Sequence, residues 1–218
     1  MAGPAAAYGA SLYVSGTSTA DAGEACSAIG GSGANQIYQV TSTAKRAWDP
    51  TVAIVVKDGT TTLPASDYVF DYTSGVIQFV AYTPVGAITV TGNYLPLYAL
   101  ATASEFELDL KTDSVDVSVF GVGAHQKQPT LSDADGTLSV FDPGDTVLDG
   151  GTLTLESILS GGKMLLLQIG FGAGLNSFRA FVVLDGLKDS AKVADVIKDQ
   201  VAWKLADQAA VIPWSFQP

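Results

Sequence analysis

A chain of 218 residues, 47% hydrophobic and 15% charged, is long enough to bury a core without disulfide or metal staples, which excludes a disordered chain. Its net charge of -11, from 22 acidic and 11 basic residues, repels phosphate backbones and argues against reading or packaging of nucleic acid. A mean hydropathy of +0.28 exceeds what a monomer of this size needs to hide and predicts contacts between subunits.

The acidity is concentrated. Residues 105–156 carry eleven acids against Lys111 and Lys127, a net of -9, and the remainder contributes only -2. The single cysteine, Cys26, excludes an intrachain disulfide and a thiolate metal cluster. Residues Met1 to Tyr8 lack the basic start and long apolar core of an export signal, so the cytoplasm is the expected compartment of synthesis. Met164 to Phe171, the most apolar run, is interrupted by Gln168 and Gly170 and is too short to cross a bilayer. No membrane partner is expected.

In chain order, residues 1–36 are rich in Ala, Gly, Ser and Thr. Only Ser11 to Val14 has strand character there, and Ile29 to Ala34 reads as a flexible loop. Such a stretch suits an arm that orders on a neighbour. Residues 37–98 form a small β module. One helical turn over Thr41 to Trp48 is stopped by Asp49-Pro50, because the residue before proline is pushed out of the α region. The β-branched run Thr51 to Lys57 ends at Asp58-Gly59, Tyr68 to Tyr72 and Val76 to Val80 flank Thr73-Ser74-Gly75 as a hairpin, and Ala87 to Tyr94 is the next strand.

Residues 99–218 hold the acidic block. From Ala103 to Gly121 apolar and polar residues alternate with the period of a half-buried strand: Phe106, Leu108 and Leu110 oppose Glu105, Glu107, Asp109 and Lys111. After Thr112-Asp113-Ser114 the alternation resumes, with Val115, Val117 and Val119 against Asp116 and Ser118. A strand is predicted over Gly136 to Phe141, bounded by turns at Asp133-Ala134-Asp135-Gly136 and Asp142 to Asp145. A helix is predicted near 150–161, within Asp149 to Gly162, because Leu155, Ile158 and Leu159 share a face and Gly161-Gly162 supplies a stop. Met164 to Gly170 reads as a buried strand, and Phe178 to Leu184 as another, closed by Asp185-Gly186. Val193, Ile197 and Val201 step by four as in a helix, whereas Val201, Trp203 and Leu205 alternate as in a strand; a strand from Gln200 to Ala206 is the expected reading.

No residues converge on catalytic chemistry. His125, the only histidine, lies in the polar stretch Gly123 to Gln128 without a nucleophile motif elsewhere, and reads as a solvated loop residue. Asp133 to Gly136 lacks the further ligands of a calcium loop. Gly170, Gly172 and Gly174 are too closely spaced for a dinucleotide fingerprint. Glu105, Glu107 and Asp109 share a strand face as paired glycosidase carboxylates do, but no sugar-binding cleft accompanies them, so a solvated acidic face is expected. The chain is read as no enzyme, with no cofactor and no metal.

The order of segments over residues 103–208 resembles the tail tube (major tail) proteins of long-tailed bacteriophages. The matching features are the acidic alternating stretch from Glu105 to Gly121, a strand near Gly136, a helix ending at Ser160-Gly161-Gly162-Lys163, the strand Met164 to Ile169, and the pair Phe178 to Leu184 and Gln200 to Ala206. Between Tyr38 and Pro96 the texture is similar to that of phage virion proteins, in Tyr38 to Pro50, Asp71 to Phe79 and Val90 to Pro96. The resemblance implies a mainly β fold, a β-sandwich or half-barrel with one flanking helix, the module before residue 100 being an addition to the simplest subunit. It further implies hexameric rings stacked into a tube in the virion, assembled in the host bacterial cytoplasm, through which DNA leaves without binding. Tape-measure, tail-terminator and baseplate or tip proteins would be its partners. Glu105, Glu107, Asp109 and Asp116 are the candidates for the lumen wall, and Ala10 to Gln36 the candidate inter-ring arm. A capsid decoration or head-tail connector protein, or a bacterial surface or adhesin β domain, shares the same β texture.

Overall fold

The computed structural model describes residues 11–99, 103–116, 127–141, 147–148, 153–154, 160, 164–170, 177–190, 198–206 and 214–217. Its strands, numbered along the chain, begin with β1 (Ser11–Ser15), β2 (Thr19–Gly30), β3 (Ile37–Val40), β4 (Val55–Asp58), β5 (Thr61–Thr62), β6 (Tyr68–Asp71), β7 (Val76–Phe79), β8 (Ile88–Tyr94) and β9 (Leu97–Ala99). They continue with β10 (Ala103–Asp116), β11 (Lys127–Phe141), β12 (Val147–Leu148), β13 (Leu153–Thr154), β14 (Met164–Gly170), β15 (Ser177–Ser190), β16 (Lys198–Leu205) and β17 (Trp214–Gln217). The protein is mainly β, built as two curled half-barrel sheets.

The larger sheet runs β10-β11-β16-β15-β14-β1-β9, with β17 beside β15. Its concave side is a core formed by Leu12 and Val14 of β1, Ala134 and Leu138 of β11, Leu165, Leu167 and Ile169 of β14, Phe178, Ala180 and Val182 of β15, and Val201 and Trp203 of β16. Strands at opposite ends of the order meet in one cluster because the sheet curls. The smaller sheet runs β5-β4-β8-β2-β3-β7-β6 around Trp48, Val56, Ile77, Phe79, Ile88 and Val90.

The smaller sheet is inserted into the larger one. β1 and β9 are antiparallel neighbours, Val14 opposite Tyr98 and Ser15 opposite Leu97, and the Gly16 N–H donates to the Pro96 carbonyl at 2.8 Å. Everything from Thr17 to Leu95 therefore leaves and re-enters through one hairpin mouth. It folds back over the convex side of β14 and β15, where Ala47 and Leu95 pack on Leu166, Phe181 and Ala206. This explains why Met164 to Gly170 shows no alternation. Leu165, Leu167 and Ile169 face the concave core while Leu166 meets the module, so both sides of β14 are covered.

Several expected elements are present: β14, the β6–β7 hairpin, β8, and a strand at Lys198–Leu205 in the ambiguous segment. The turn expected after Thr41 is a 3-10 turn at Thr43–Lys45. Four expectations are corrected. Thr19–Gly30 is a twelve-residue strand, paired with β8 along its first half and β3 along its second, so most of the stretch expected as a pliable arm belongs to a sheet. Its small residues carry no hydrophobic period, and its place is fixed by backbone pairing on both sides, with Asp21 and Glu24 both bonded to Lys45.

Asp133 to Gly136 is no turn but the middle of β11, and Asp185-Gly186 is a bulge within β15. Gly136 is there because a Cβ would lie 2.0 Å from the Glu107 carbonyl oxygen and 2.7 Å from the Trp203 ring. It marks a close approach of strands, which composition alone does not distinguish from a turn. Within the helix expected near 150–161, Leu153–Thr154 is instead the short strand β13, antiparallel to β12, and among the described residues there only Ser160 is helical. The rest of that segment lies outside the described residues, as do Val117, Val119, His125, Gly172 and Gly174.

Candidate functional site: an acidic sheet face

The alternation of β10 is kept in three dimensions. Phe106 and Leu108 pack against the concave core, while Glu105, Glu107, Asp109 and Lys111 are exposed on the convex side. Leu110, expected on the core side, is 48% exposed; the strand reaches past the edge of the core there. Asp116 ends β10 opposite Lys127 in the ladder, with its side chain outside the described residues. The pause in the alternation at Thr112-Asp113-Ser114 coincides with a ladder irregularity between Thr112 and Ser114.

Pairing builds the face outward from β10. Glu107 lies opposite Thr137, Asp109 opposite Asp135 and Lys111 opposite Asp133, and β16 then places Lys204 opposite Asp135. Glu107, Asp109, Asp133, Asp135 and Asp185 line a shallow groove of about 390 Å³ together with Lys111 and Lys204. With Glu105 beside it, the described face holds six carboxylates and two ammonium groups.

Both lysines are engaged. Lys111 Nζ is 2.6 Å from Asp135 and 3.4 Å from Asp109, and thereby bridges two carboxylates that the register sets directly opposite each other. Like charges in that position destabilise a sheet, and the bridge offsets it. The hydrogen bond to Asp135 raises the Lys111 pKa above its ordinary value; burial, the next largest effect, opposes it, and the bond to Asp109 adds to the rise. Lys204 Nζ is 3.0 Å from Asp185. Every partner is solvent-exposed, so solvent screening keeps each pair weak, and with six carboxylates against two ammonium groups the face stays negative.

Of the expected lumen residues, Glu105, Glu107 and Asp109 stand together on one face. Asp133, Asp135 and Asp185 join them and were obscured by being read as turn residues. The alternation of Asp133, Asp135, Thr137 and Ser139 with Ala134 and Leu138 was the available signal. Among the described residues no group of three or more His, Cys, Asp or Glu is arranged to hold a metal ion, and no helix is long and apolar enough to cross a membrane.

No known protein family matches the chain, and no curated protein matches it in sequence. Among solved structures it is similar to a chain in the tail of an empty GTA particle, computed with helical refinement and C6 symmetry, at 9% identity and a TM-score of 0.44 over 56% of this chain and 87% of that one.

Proposed function

We propose that this protein is a structural subunit of a phage-type tail and, in finer terms, a tube subunit. Six copies close a ring, rings stack, and the β10–β11–β16 faces line the lumen. The observation that carries the reading is the division of the larger sheet into a concave apolar side and a convex side bearing Glu105, Glu107, Asp109, Asp133, Asp135 and Asp185 against two paired lysines. Repeated around a ring, such a wall repels phosphates, so DNA passes without the long-lived contacts that free Lys and Arg make. At ionic strengths near 0.15 M the repulsion acts over about 8 Å, close enough to centre a duplex without reaching far beyond the wall. The resemblance of residues 103–208 to tail tube proteins supports the same conclusion, and tape-measure, terminator and tip proteins are then its neighbours in the virion.

Electron microscopy of the purified protein tests this. Rings or stacked tubes are expected, and strict monomers across the accessible concentration range overturn the tube. A reconstruction with the β10–β11 face on the outer surface of a tube overturns the lumen assignment alone.

A further inference from the structure

The inserted module touches the larger sheet at its root, beside Gly16 and Pro96, through the apolar contact of Ala47 and Leu95 with Leu166, Phe181 and Ala206, and through a polar contact. Arg179 of β15 projects from the convex side, on the same side as Phe181 and two strands away from β1, about 10 Å from it at ordinary strand spacing. Its Nη1 donates to the Thr73 carbonyl at 2.8 Å and its Nε to Gln168 Oε1 at 2.8 Å. Thr73 lies in the β6–β7 turn of the module, and Thr73 and Ser74 are fully buried.

That turn is built to be rigid. Asp71 accepts from the Thr73 amide at 2.8 Å, from the Thr73 hydroxyl at 2.7 Å and from the Ser74 hydroxyl. Gly75 has φ +64, and a Cβ there would lie 2.9 Å from the Arg46 carbonyl oxygen. Gln39 Nε2 donates to the Ser74 carbonyl at 3.1 Å. The Thr73 carbonyl is thus presented as a fixed acceptor.

Arg179 is an expensive way to meet it. Burial first, and the neighbouring Arg46 cation second, pull its pKa below the ordinary value, with Asp71 opposing them. The acceptors it bonds are neutral. A half-buried charge bonded to neutral acceptors adds little net stability over an apolar side chain of similar size, whereas a guanidinium bonded in two directions fixes geometry.

We infer that Arg179 is a latch: a positioning residue that holds the inserted module at one angle to the larger sheet through the Thr73 carbonyl, while the apolar contacts of Leu95, Leu166 and Phe181 supply the adhesion. Without it the module stays folded and attached but turns about its two-strand root. This conclusion is independent of whether copies assemble into a tube.

The test is a distance distribution between spin labels at Ser66→Cys on the module and Gln200→Cys on the larger sheet, in a Cys26→Ser background diluted with unlabelled protein. The unsubstituted latch gives one narrow distance. Arg179→Met, of similar length and without charge, is expected to broaden or shift it while the thermal midpoint moves by no more than a few degrees. Gln168→Ala, which removes one of the two acceptors, is expected to act in the same direction to a smaller extent, and it decides the matter if Arg179→Met does not fold. An unchanged narrow distance in the folded variants overturns the latch.

Discussion

The two sheets treat charge in opposite ways. In the inserted module Asp21, Glu24, Asp49, Asp58 and Asp71 each have a local task. Lys45 joins Asp21 and Glu24 at 2.5 and 2.8 Å, Asp49 holds the Thr51 amide, Asp71 ties the β6–β7 turn, and buried Asp58 accepts from Tyr82 Oη and from the amides of Val85 and Gly86. On the larger sheet six carboxylates stand in an open array served by two exposed lysines. Charge in the module is wiring that shapes loops. Charge on the larger sheet is an open negative array, and this is why the face and not the module is proposed as the functional surface.

The contrast can be broken at several strengths. The apolar contact between the two regions is the most sensitive: Phe181→Ala removes a fully buried ring at the junction and is expected to cost about 3–5 kcal/mol in denaturant unfolding. Asp58→Ala leaves two amides and a hydroxyl without their acceptor and is expected to cost about 3 kcal/mol, read as earlier hydrogen exchange in residues 81–88 than in the larger sheet.

The same carboxylate predicts a pH dependence. Burial works against its charge, but the Val85, Tyr82 and Gly86 donors outweigh burial and hold its pKa below the ordinary value of 3.8. Its folded pKa is depressed, so its contribution is fully present above pH 3.8 and is lost as pH falls below that through the folded value. An acid titration in which the module's aromatic signals respond over that range only in the unsubstituted protein, and not in Asp58→Asn, checks the assignment.

On the acidic face the effects on folding are smaller. Lys111→Met frees Asp109 and Asp135 to repel and is expected to lower the thermal midpoint slightly, and less in high salt, as seen in melts at two ionic strengths. Glu107→Lys with Asp109→Lys is expected to change stability by about 0.5 kcal/mol or less, yet to make assembled particles retain DNA at low salt. Loss of folding in that double variant sinks the division between wiring and open array.

How much of this was legible in the sequence follows the same division. Strands with a one-sided or two-sided hydrophobic signature, β10 and β14, could be read directly, because burial dictated their residues, whereas in β16 the alternation of Val201, Trp203 and Leu205 competed with the helical step of Val193, Ile197 and Val201. The wet side of β10 could also be read directly, since alternation alone assigns it to Glu105, Glu107 and Asp109. β2 could not be read: Ala20, Ala22 and Ala25 are exposed and its register comes from partners far along the chain. Asp133, Asp135 and Asp185 were hidden because aspartate and glycine serve turns and strand crossings equally well. The Gly136 contact with Trp203, 67 positions away in numbering, has no local signature.

The hairpin mouth at Gly16 and Pro96 has a consequence for how the molecule comes to exist. β1 must find β9 across everything from Thr17 to Leu95, and closing a flexible loop of that length costs about 4 kcal/mol in chain entropy. The module removes that cost by folding: once β2 and β8 pair, with Thr19 opposite Tyr94, the two ends of the insertion already lie side by side. A nascent chain completes the module before β10 to β17 are made, so β1 and β9 wait as a preformed edge on which the larger sheet is laid down. On this topology the insertion is expected to fold first and to serve the larger sheet as its template.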